Sequence, residues 1–280
     1  MGFESYHPAV ELIFFTAAAA GSIAFSHPVF ILISLFFAAA YCIKRKRISG
    51  AALCAAVLLA AVLFALYYGS VEHFGATVIG KNRIGNDLTL ESHLYGLSLG
   101  ARGAALVLWA SCFNSVFTSD KTVYLLGRVS PRSALVLSIL FRAVPRIGER
   151  ARRTRRARRG IGKRRGVISA VITWMIEAFA VLSDSMRSRG AALRGRRAYS
   201  IYRFDNRDRA GVVLMFALIG SVLSGVMLGQ TKMIYDPRLI APPVRTVAVV
   251  IYGAYAAFCA IPLALETVSE IRFRRAVRSV

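Results

Sequence analysis

The apolar run "GAALCAAVLLAAVLFALYY" (50–68) decides the class of this chain, because its nineteen residues include no charged side chain. A helix rises 1.5 Å per residue, so a run of this length covers about 30 Å, the thickness of a bilayer's hydrocarbon core. The composition agrees: of 280 residues, 56% are hydrophobic and 18% are charged, where soluble domains carry about 25% charged residues. We therefore expect 50–68 to cross a membrane as a helix.

Five further apolar runs lie on either side of this one. The second run begins with Pro28, at a helix position where the missing N–H of proline costs nothing. Within hydrocarbon, a helix satisfies its own backbone hydrogen bonds. The runs therefore predict an all-α, polytopic membrane protein with about six transmembrane helices, at 9–25, 29–43, 50–68, 93–117, 211–229 and 244–266.

The basic residues predict the topology. The chain has 37 Lys and Arg against 14 Asp and Glu, a net charge of +23, and membrane proteins keep their basic loops on the cytoplasmic side. Placing "KRKR" (44–47) inside also places the strongly basic segment 118–209 and the tail 272–278 inside, with six spans. Both termini are then cytoplasmic, and the outer loops 69–92 and 230–243 carry few basic residues.

The run "VISAVITWMIEAFAVL" (167–182) is predicted to stay out of the bilayer core. It has sixteen residues, which is short for a span, and Glu177 lies at its centre. A charge at the bilayer midplane costs at least about 2.5–3.5 kcal/mol, and a span here would move the arginines that follow it to the outer side. We expect a helix in or near the cytoplasmic interface, with its apolar face against the membrane or neighbouring helices.

The chain thus divides into transmembrane helices 1–4 (1–117), a cytoplasmic region with two long helices (118–209), and transmembrane helices 5–6 with a basic tail (210–280). The first long helix should begin at Pro131 after Ser130 as N-cap, and should bend at Pro145. It ends in "RRARRG" (155–160) and the second ends in "MRSRG" (186–190). Glycine just past a helix end is the usual left-handed cap.

Two helix ends therefore carry an arginine before a glycine, at Arg159 and Arg189. A cation in the last turn complements the helix dipole by about 0.3–1 kcal/mol, which is reason enough for a basic residue there. A guanidinium projecting from a helix end also suits a carboxylate of another protein. The spacing alone leaves these two interpretations about even.

The paired signatures resemble the Ala-Arg-Gly motifs of the transmembrane (T) component of energy-coupling factor (ECF) transporters, a family of ATP-binding-cassette (ABC) importers. The similarity continues, in the family's order, over most of 85–278. Arg158 and Ser188 stand where the family has Ala, and "ARR" (157–159) is an alternative register for the first motif. The segments that resemble the family are "LTLESHLYGLSLGARGAALVLWASCF" (88–113), "FTSDKTVYLLGRV" (117–129), "ILFRAVPRIGERARRTRRARRG" (139–160) and "ALETVSEIRFRR" (264–275).

The resemblance implies a non-catalytic coupling subunit in a prokaryotic plasma membrane. Its partners would be two ABC ATPase subunits and a membrane-embedded substrate-binding subunit that takes up a vitamin or a metal ion. Pro145, Glu177 and Asp184 would support the coupling helices. The implied ATPase-docking residues are Arg158, Arg159, Gly160, Ser188, Arg189 and Gly190.

The sequence also indicates what this chain does not do. It has no GxxxxGK[ST] phosphate-binding loop, so we expect no ATP site. Its cysteines lie singly in apolar runs and its four histidines are scattered, so we expect small buried hydrophobes, no metal site and no cofactor. The "ARG" at 101–103 lies inside the fourth span, where Arg102 is expected to be an intramembrane or snorkelling arginine that is paired within the protein.

Two other functions remain open from the sequence. The arginine-rich segment suits anionic lipids, each basic residue adding about 1 kcal/mol near an anionic surface. Nucleic acid is not expected, because no aromatic residue for base stacking occurs from 142 to 166. Glu177 and Asp184 share a helical face and are candidates for an acid–base pair, but no other feature converges on them, and an ion pair of Asp184 with Arg187 is the simpler expectation.

Overall fold

The computed structural model describes residues 2–81, 87–159, 166–190, 193, 202–236, 239–240, 242–243 and 246–278. These residues form helices and one small β-hairpin, and they divide into two compact units. The first unit combines 1–117 with 203–280, and the second is 118–202. The predicted boundary at 209/210 falls inside a helix that begins at Asn206, where Asp205 and Asp208 form a capping box.

The first unit contains six helices and the hairpin: α1 (Pro8–Ala24), α2 (Pro28–Lys46), α3 (Ile48–Val71), β1 (Val78–Lys81), β2 (Asp87–Thr89), α4 (Leu90–Val116), α8 (Asn206–Met227) and α9 (Thr246–Arg278). The second unit contains α5 (Ser119–Val129), α6 (Pro131–Arg159) and α7 (Val167–Ser188). The strands β1 and β2 pair antiparallel in the predicted outer loop 69–92.

The prediction of an all-α, polytopic membrane protein is confirmed. Six of the described helices are long and apolar enough to cross a membrane: α2, α3, α4, α7, α8 and α9. The set differs from the predicted one in two places. The first predicted span, α1, is a shorter apolar helix of 17 residues, whereas α7 qualifies although the sequence argument rejected it.

The length argument against α7 was wrong. The apolar run ends at residue 182, but the helix continues through "SDSMRS" to Ser188 and reaches 22 residues. Serine, aspartate and arginine end the apolar run without breaking the helix, because helical backbone hydrogen bonds do not require apolar side chains. The charge argument is unaffected: Glu177 lies at the middle of α7 and is exposed.

One end of the first unit gathers three segments that are predicted to lie outside. The backbone N–H groups of Ser26 and His27, between α1 and α2, donate to the carbonyl of Thr231, after α8, at 3.2 and 3.1 Å. The rings of Tyr95, near the start of α4, and Tyr235 lie 5.5 Å apart. The α1–α2 turn, the α8–α9 segment and the start of α4 therefore share one end.

The other end gathers the segments that are predicted to lie inside. Arg45, at the end of α2, pairs with Glu266 of α9 at 3.4 Å and donates to the carbonyl of Ser115 near the end of α4 at 3.3 Å. The backbone N–H of His7 before α1 donates to Asp208 at the start of α8, at 3.2 Å. The six helices of this unit therefore alternate in direction as the basic residues predicted; which end is cytoplasmic stays a prediction.

Aromatic rings and a short chain of hydroxyl groups fill the core of this unit. The Phe14 and Trp109 ring centroids lie 5.5 Å apart, and both side chains are buried. The Trp109 indole N–H donates to the hydroxyl of Ser34 at 3.0 Å, and the hydroxyls of Ser22 and Ser34 are 2.8 Å apart. The buried Ser22, Ser34 and Trp109, one each on α1, α2 and α4, thus bond to one another, as an apolar surrounding requires. All four cysteines are free and buried, as predicted.

Small residues bring α3 and α4 into close contact. A Cβ at Gly100 would lie 2.7 Å from the carbonyl oxygen of Ala61, and one at Gly96 would lie 3.2 Å from the Cα of Ala65. Ala61–Ala65 and Gly96–Gly100 are both spaced four residues apart, so they occupy one face of each helix. Close backbone approach at such small residues is a common way for transmembrane helices to associate.

We expect Gly100→Leu to destabilise the protein, because its side chain meets the backbone of α3. Overpacking of this kind costs about 1–3 kcal/mol, so the midpoint of thermal unfolding in detergent should fall by several degrees. Gly220→Leu is the matched control, since a Cβ at Gly220 in α8 meets nothing within 4 Å. Equal unfolding midpoints for the two variants would contradict the proposed tight contact of α3 with α4.

Candidate docking site on the α6–α7 hairpin

The helices α6 and α7 form an antiparallel hairpin. The guanidinium of Arg150 lies over the ring of Trp174, 5.5 Å from its centroid. Nearer the turn, a Cβ at Gly166 would lie 2.7 Å from Nη1 of Arg158. From the second contact to the first, the chain steps back eight residues on α6, from Arg158 to Arg150, and forward eight on α7, from Gly166 to Trp174. Equal steps in opposite directions are the register of antiparallel helices.

The hairpin places the two candidate arginines at opposite ends of its length. Arg159 is the last residue of α6, beside the turn, and Arg189 directly follows α7. The 22 residues of α7 span about 33 Å at 1.5 Å per residue. Both arginine side chains are exposed, so this unit offers two cations separated by roughly the length of α7.

The two registers of the first signature differ in their surroundings. Arg158 is half-buried and its guanidinium lies against Gly166, whereas Arg159 is exposed. Arg158 thus contributes to the contact between α6 and α7, and Arg159 is free to meet a partner. Gly160, the predicted cap of α6, lies outside the described residues.

The second signature is described completely. Ser188 ends α7, and its hydroxyl donates to the carbonyl of Ser185 at 2.9 Å. Gly190 has a left-handed backbone with φ +76°, and its N–H donates to the carbonyl of Arg187 at 3.0 Å. The prediction of a left-handed glycine cap is confirmed here. The cap stops the helix at Ser188 and leaves Arg189 projecting from its end.

The predicted support residues lie on the surface of the hairpin. Pro145 is inside α6 and removes one hydrogen-bond donor from it. Glu177 and Asp184 are both exposed on α7. Among the described residues, no ion pair joins Asp184 to Arg187, so the simpler expectation for Asp184 is not met.

Each helix of the hairpin also carries an exposed apolar stripe. On α7 the stripe repeats every three or four residues, the spacing of one helix face. Its members are not covered by α6. A contiguous exposed apolar surface is typical of contact with a membrane or with another protein. The residues of the stripes are Val136, Leu140, Phe141 and Val144 on α6, and Ile168, Ile172, Ile176 and Phe179 on α7; Val181 of α7 is exposed as well.

Sequence reasoning missed a charge cluster at the "KRKR" end of the first unit. Arg45 bonds to Glu4 as well as Glu266, Lys44 pairs with Glu270 at 3.2 Å, and the Tyr41 hydroxyl donates to Glu266 at 3.1 Å. The signal was present: Glu266 and Glu270 are one turn apart at the end of an apolar run. Their partners Lys44 and Arg45 could not be identified from the sequence, because more than 200 residues separate them from Glu266 and Glu270.

The Leu-Thr-Leu-Glu segment (88–91) has a structural role in this chain. The carboxylate of Glu91 accepts from the backbone N–H of Thr77 at 3.2 Å and from its hydroxyl at 2.7 Å. The hydroxyl of Ser92 donates to the carbonyl of Glu72 at 2.8 Å. These bonds fix the segment before β1 to the first turn of α4, so Glu91 and Ser92 hold residues 72–77 in place.

Neither the family models nor the curated proteins that were searched contain a match.

We expect Gly190→Ala to destabilise the end of α7. A left-handed backbone costs a residue with a Cβ about 1–2 kcal/mol, and the new Cβ would lie 2.9 Å from Cδ1 of Leu193. The matched control is Gly148→Ala within α6, where a Cβ meets nothing within 4 Å and should stabilise the helix by about 0.5–1 kcal/mol. Hydrogen exchange at 185–190 should rise in the first variant only; a rise in neither would contradict the cap.

Proposed function

We propose that this chain is the transmembrane coupling subunit of an energy-coupling factor importer. In this role it transmits the ATP-driven movement of two ABC ATPase subunits to a separate membrane subunit that binds a vitamin or a metal ion. The observation that carries the proposal is the pair of exposed arginines, Arg159 and Arg189, on one hairpin about 33 Å apart. The resemblance of the two arginine–glycine signatures and of the segments around them supports it.

The chemistry of docking follows from the arginine side chain. A guanidinium presents five N–H donors in a plane and fits a carboxylate through two parallel hydrogen bonds. A groove on each ATPase with an acidic residue would take one helix end. Two separated arginines then allow one chain to hold two ATPase subunits at once.

The hairpin can carry movement because α6 and α7 contact each other at two levels in the half of the hairpin nearest the turn. The Arg150–Trp174 contact and the Arg158–Gly166 contact lie at different levels of the hairpin. A displacement at one docking end would therefore move the exposed apolar stripes of α6 and α7 as well. The substrate-binding subunit is the proposed partner of these stripes, in a prokaryotic plasma membrane with both termini of this chain in the cytoplasm.

The double variant Arg159→Glu/Arg189→Glu should detach the ATPases. Truncating or reversing one partner of a buried charge pair costs about 2–5 kcal/mol. We expect affinity purification of the tagged chain from its native cells in mild detergent, followed by mass spectrometry, to recover two ABC ATPases with the wild type. The double variant should recover at most about a tenth of that amount.

The control double variant Arg152→Glu/Arg187→Glu makes the same change in net charge on the same two helices. Both of these arginines are exposed, but neither stands at a helix end before a glycine. ATPase recovery should stay near the wild-type level. Normal recovery with Arg159→Glu/Arg189→Glu, or equal loss with the control, would contradict docking through these two residues.

A second candidate function is attachment of the basic segment to anionic lipid. The observation that favours it is a set of arginines exposed on the last turns of α6: Arg152, Arg153, Arg155, Arg156 and Arg159. A cluster of this kind gains about 1 kcal/mol per residue near an anionic membrane surface.

Lipid attachment predicts a loss that depends on charge and not on position. A synthetic peptide of residues 146–159 should bind vesicles that contain phosphatidylglycerol and not vesicles of phosphatidylcholine alone. Any two Arg→Glu changes in it should weaken binding equally, and rising salt should weaken all of the peptides. A loss confined to Arg159→Glu would contradict a lipid function for this segment.

A further inference from the structure

Arg102 lies near the middle of a predicted transmembrane helix. It is seven residues, about 10 Å, from Tyr95, which is in the aromatic cluster at one end of the first unit. In the other direction it is nine residues, about 14 Å, from Ser111, whose hydroxyl accepts from the ammonium group of Lys46 at 2.6 Å. Arg102 therefore stands between the two polar ends of the bundle, at the depth of the hydrocarbon.

The part of the chain that the structure describes offers no acidic partner for Arg102. Among the described residues, its only bond is from Nε to the carbonyl of Ser98 in its own helix, at 3.3 Å. No described carboxylate lies within 4 Å of its guanidinium. The four N–H groups on its terminal nitrogens are left for another molecule. A charge held at this depth is costly unless it is paired, which makes it a candidate functional group.

An apolar groove surrounds this arginine. The groove has a volume of about 680 Å³ and is formed mainly by α3 and α4. Ala56 and Ala60 on α3 and Gly103 on α4 are small and exposed, so another helix can approach the backbone closely there. A Cβ at Gly103 would meet nothing within 4 Å. The groove is thus open between α3 and α4, and Arg102 lines it.

We propose that this groove binds a transmembrane helix of a partner protein that carries an Asp or Glu side chain at mid-membrane depth. The carboxylate would pair with the terminal N–H groups of Arg102, and the backbone of the partner helix would lie against Ala60 and Gly103. This interaction is separate from ATPase docking at Arg159 and Arg189, and it does not depend on the proposed function.

Depth is the reason for choosing a helix as the occupant. A lipid phosphate stays at the headgroup level, about 15 Å from the bilayer midplane, whereas Arg102 is about two helical turns from Tyr95 at one polar end and about two and a half from Ser111 at the other. A partner helix brings a carboxylate to any depth. An Arg–carboxylate pair is also bidentate and strong in an apolar medium, and small residues beside it allow the helix to come close.

The test uses the full chain in phosphatidylcholine vesicles and a synthetic transmembrane peptide of leucine and alanine with one central aspartate. Binding is followed by energy transfer between a donor on the chain and an acceptor on the peptide. We expect the aspartate peptide to bind at least tenfold more tightly than the same peptide with asparagine or leucine at its centre. Arg102→Gln should remove this preference, and Arg102→Lys should keep part of it.

Gly103→Leu tests the groove itself, and Gly220→Leu is its matched control. A Cβ at 103 meets nothing within 4 Å, so a leucine side chain has room to extend into the groove, and a Cβ at 220 on α8 likewise meets nothing within 4 Å. We expect the first to weaken binding of the aspartate peptide about tenfold and the second to leave it unchanged. Because Arg102→Gln only removes a charge from an apolar region, folding should persist and the comparison remains interpretable.

Three results would overturn the proposal. The aspartate and leucine peptides could bind equally, which would mean that Arg102 does not select a carboxylate. Phosphatidylglycerol at a fifth of the lipid could abolish the preference, which would make an anionic lipid the occupant. Energy transfer between two labelled copies of this chain, lost in Arg102→Gln, would instead make a second copy the occupant.

Discussion

The cost of placing charge in hydrocarbon is the constraint on which the organisation of this chain depends. Apart from Arg102, the six helices of the first unit carry their lysines, arginines and carboxylates near their ends, where Lys44 and Arg45 pair with carboxylates and Arg45 also bonds to a backbone carbonyl. The most basic part of the sequence is gathered into a second unit, 118–202, with its own helices and its own contacts. The chain thus divides into a mainly apolar unit with charged ends and a strongly basic unit.

Predictability from the sequence follows the same division. Long apolar runs identify membrane helices because a helix that satisfies its own backbone needs only apolar side chains and sufficient length. The turn before α2 and the start of α6 were found from proline, which restricts the backbone locally. The end of α7 was misjudged, because the apolar run and the helix end at different residues: Leu182 and Ser188.

Features that depend on distant residues were not predictable. Glu4, Arg45 and Glu266 come together only when three segments far apart in the chain pack at one end. Which arginine of the first signature stays accessible depends on Gly166. The guanidinium of Arg158 packs against Gly166, whereas Arg159 remains exposed. Arg102 was expected to have a partner in the protein. That expectation rested only on the free-energy cost of an unpaired charge within hydrocarbon. The local sequence pattern predicts the helices, but the packing of distant segments decides which of their side chains stay accessible to a partner.

The antiparallel register of the α6–α7 hairpin has a consequence for anything that attaches at both of its ends. A hairpin locked at Arg150–Trp174 and at Arg158–Gly166 cannot easily change its length. The distance between Arg159 and Arg189 is therefore nearly fixed. Two partners bound at these residues would have to keep the same separation or rotate the whole hairpin. Under the proposed function, a change in the distance between the two ATPases would be converted into a change in the tilt of α6 and α7.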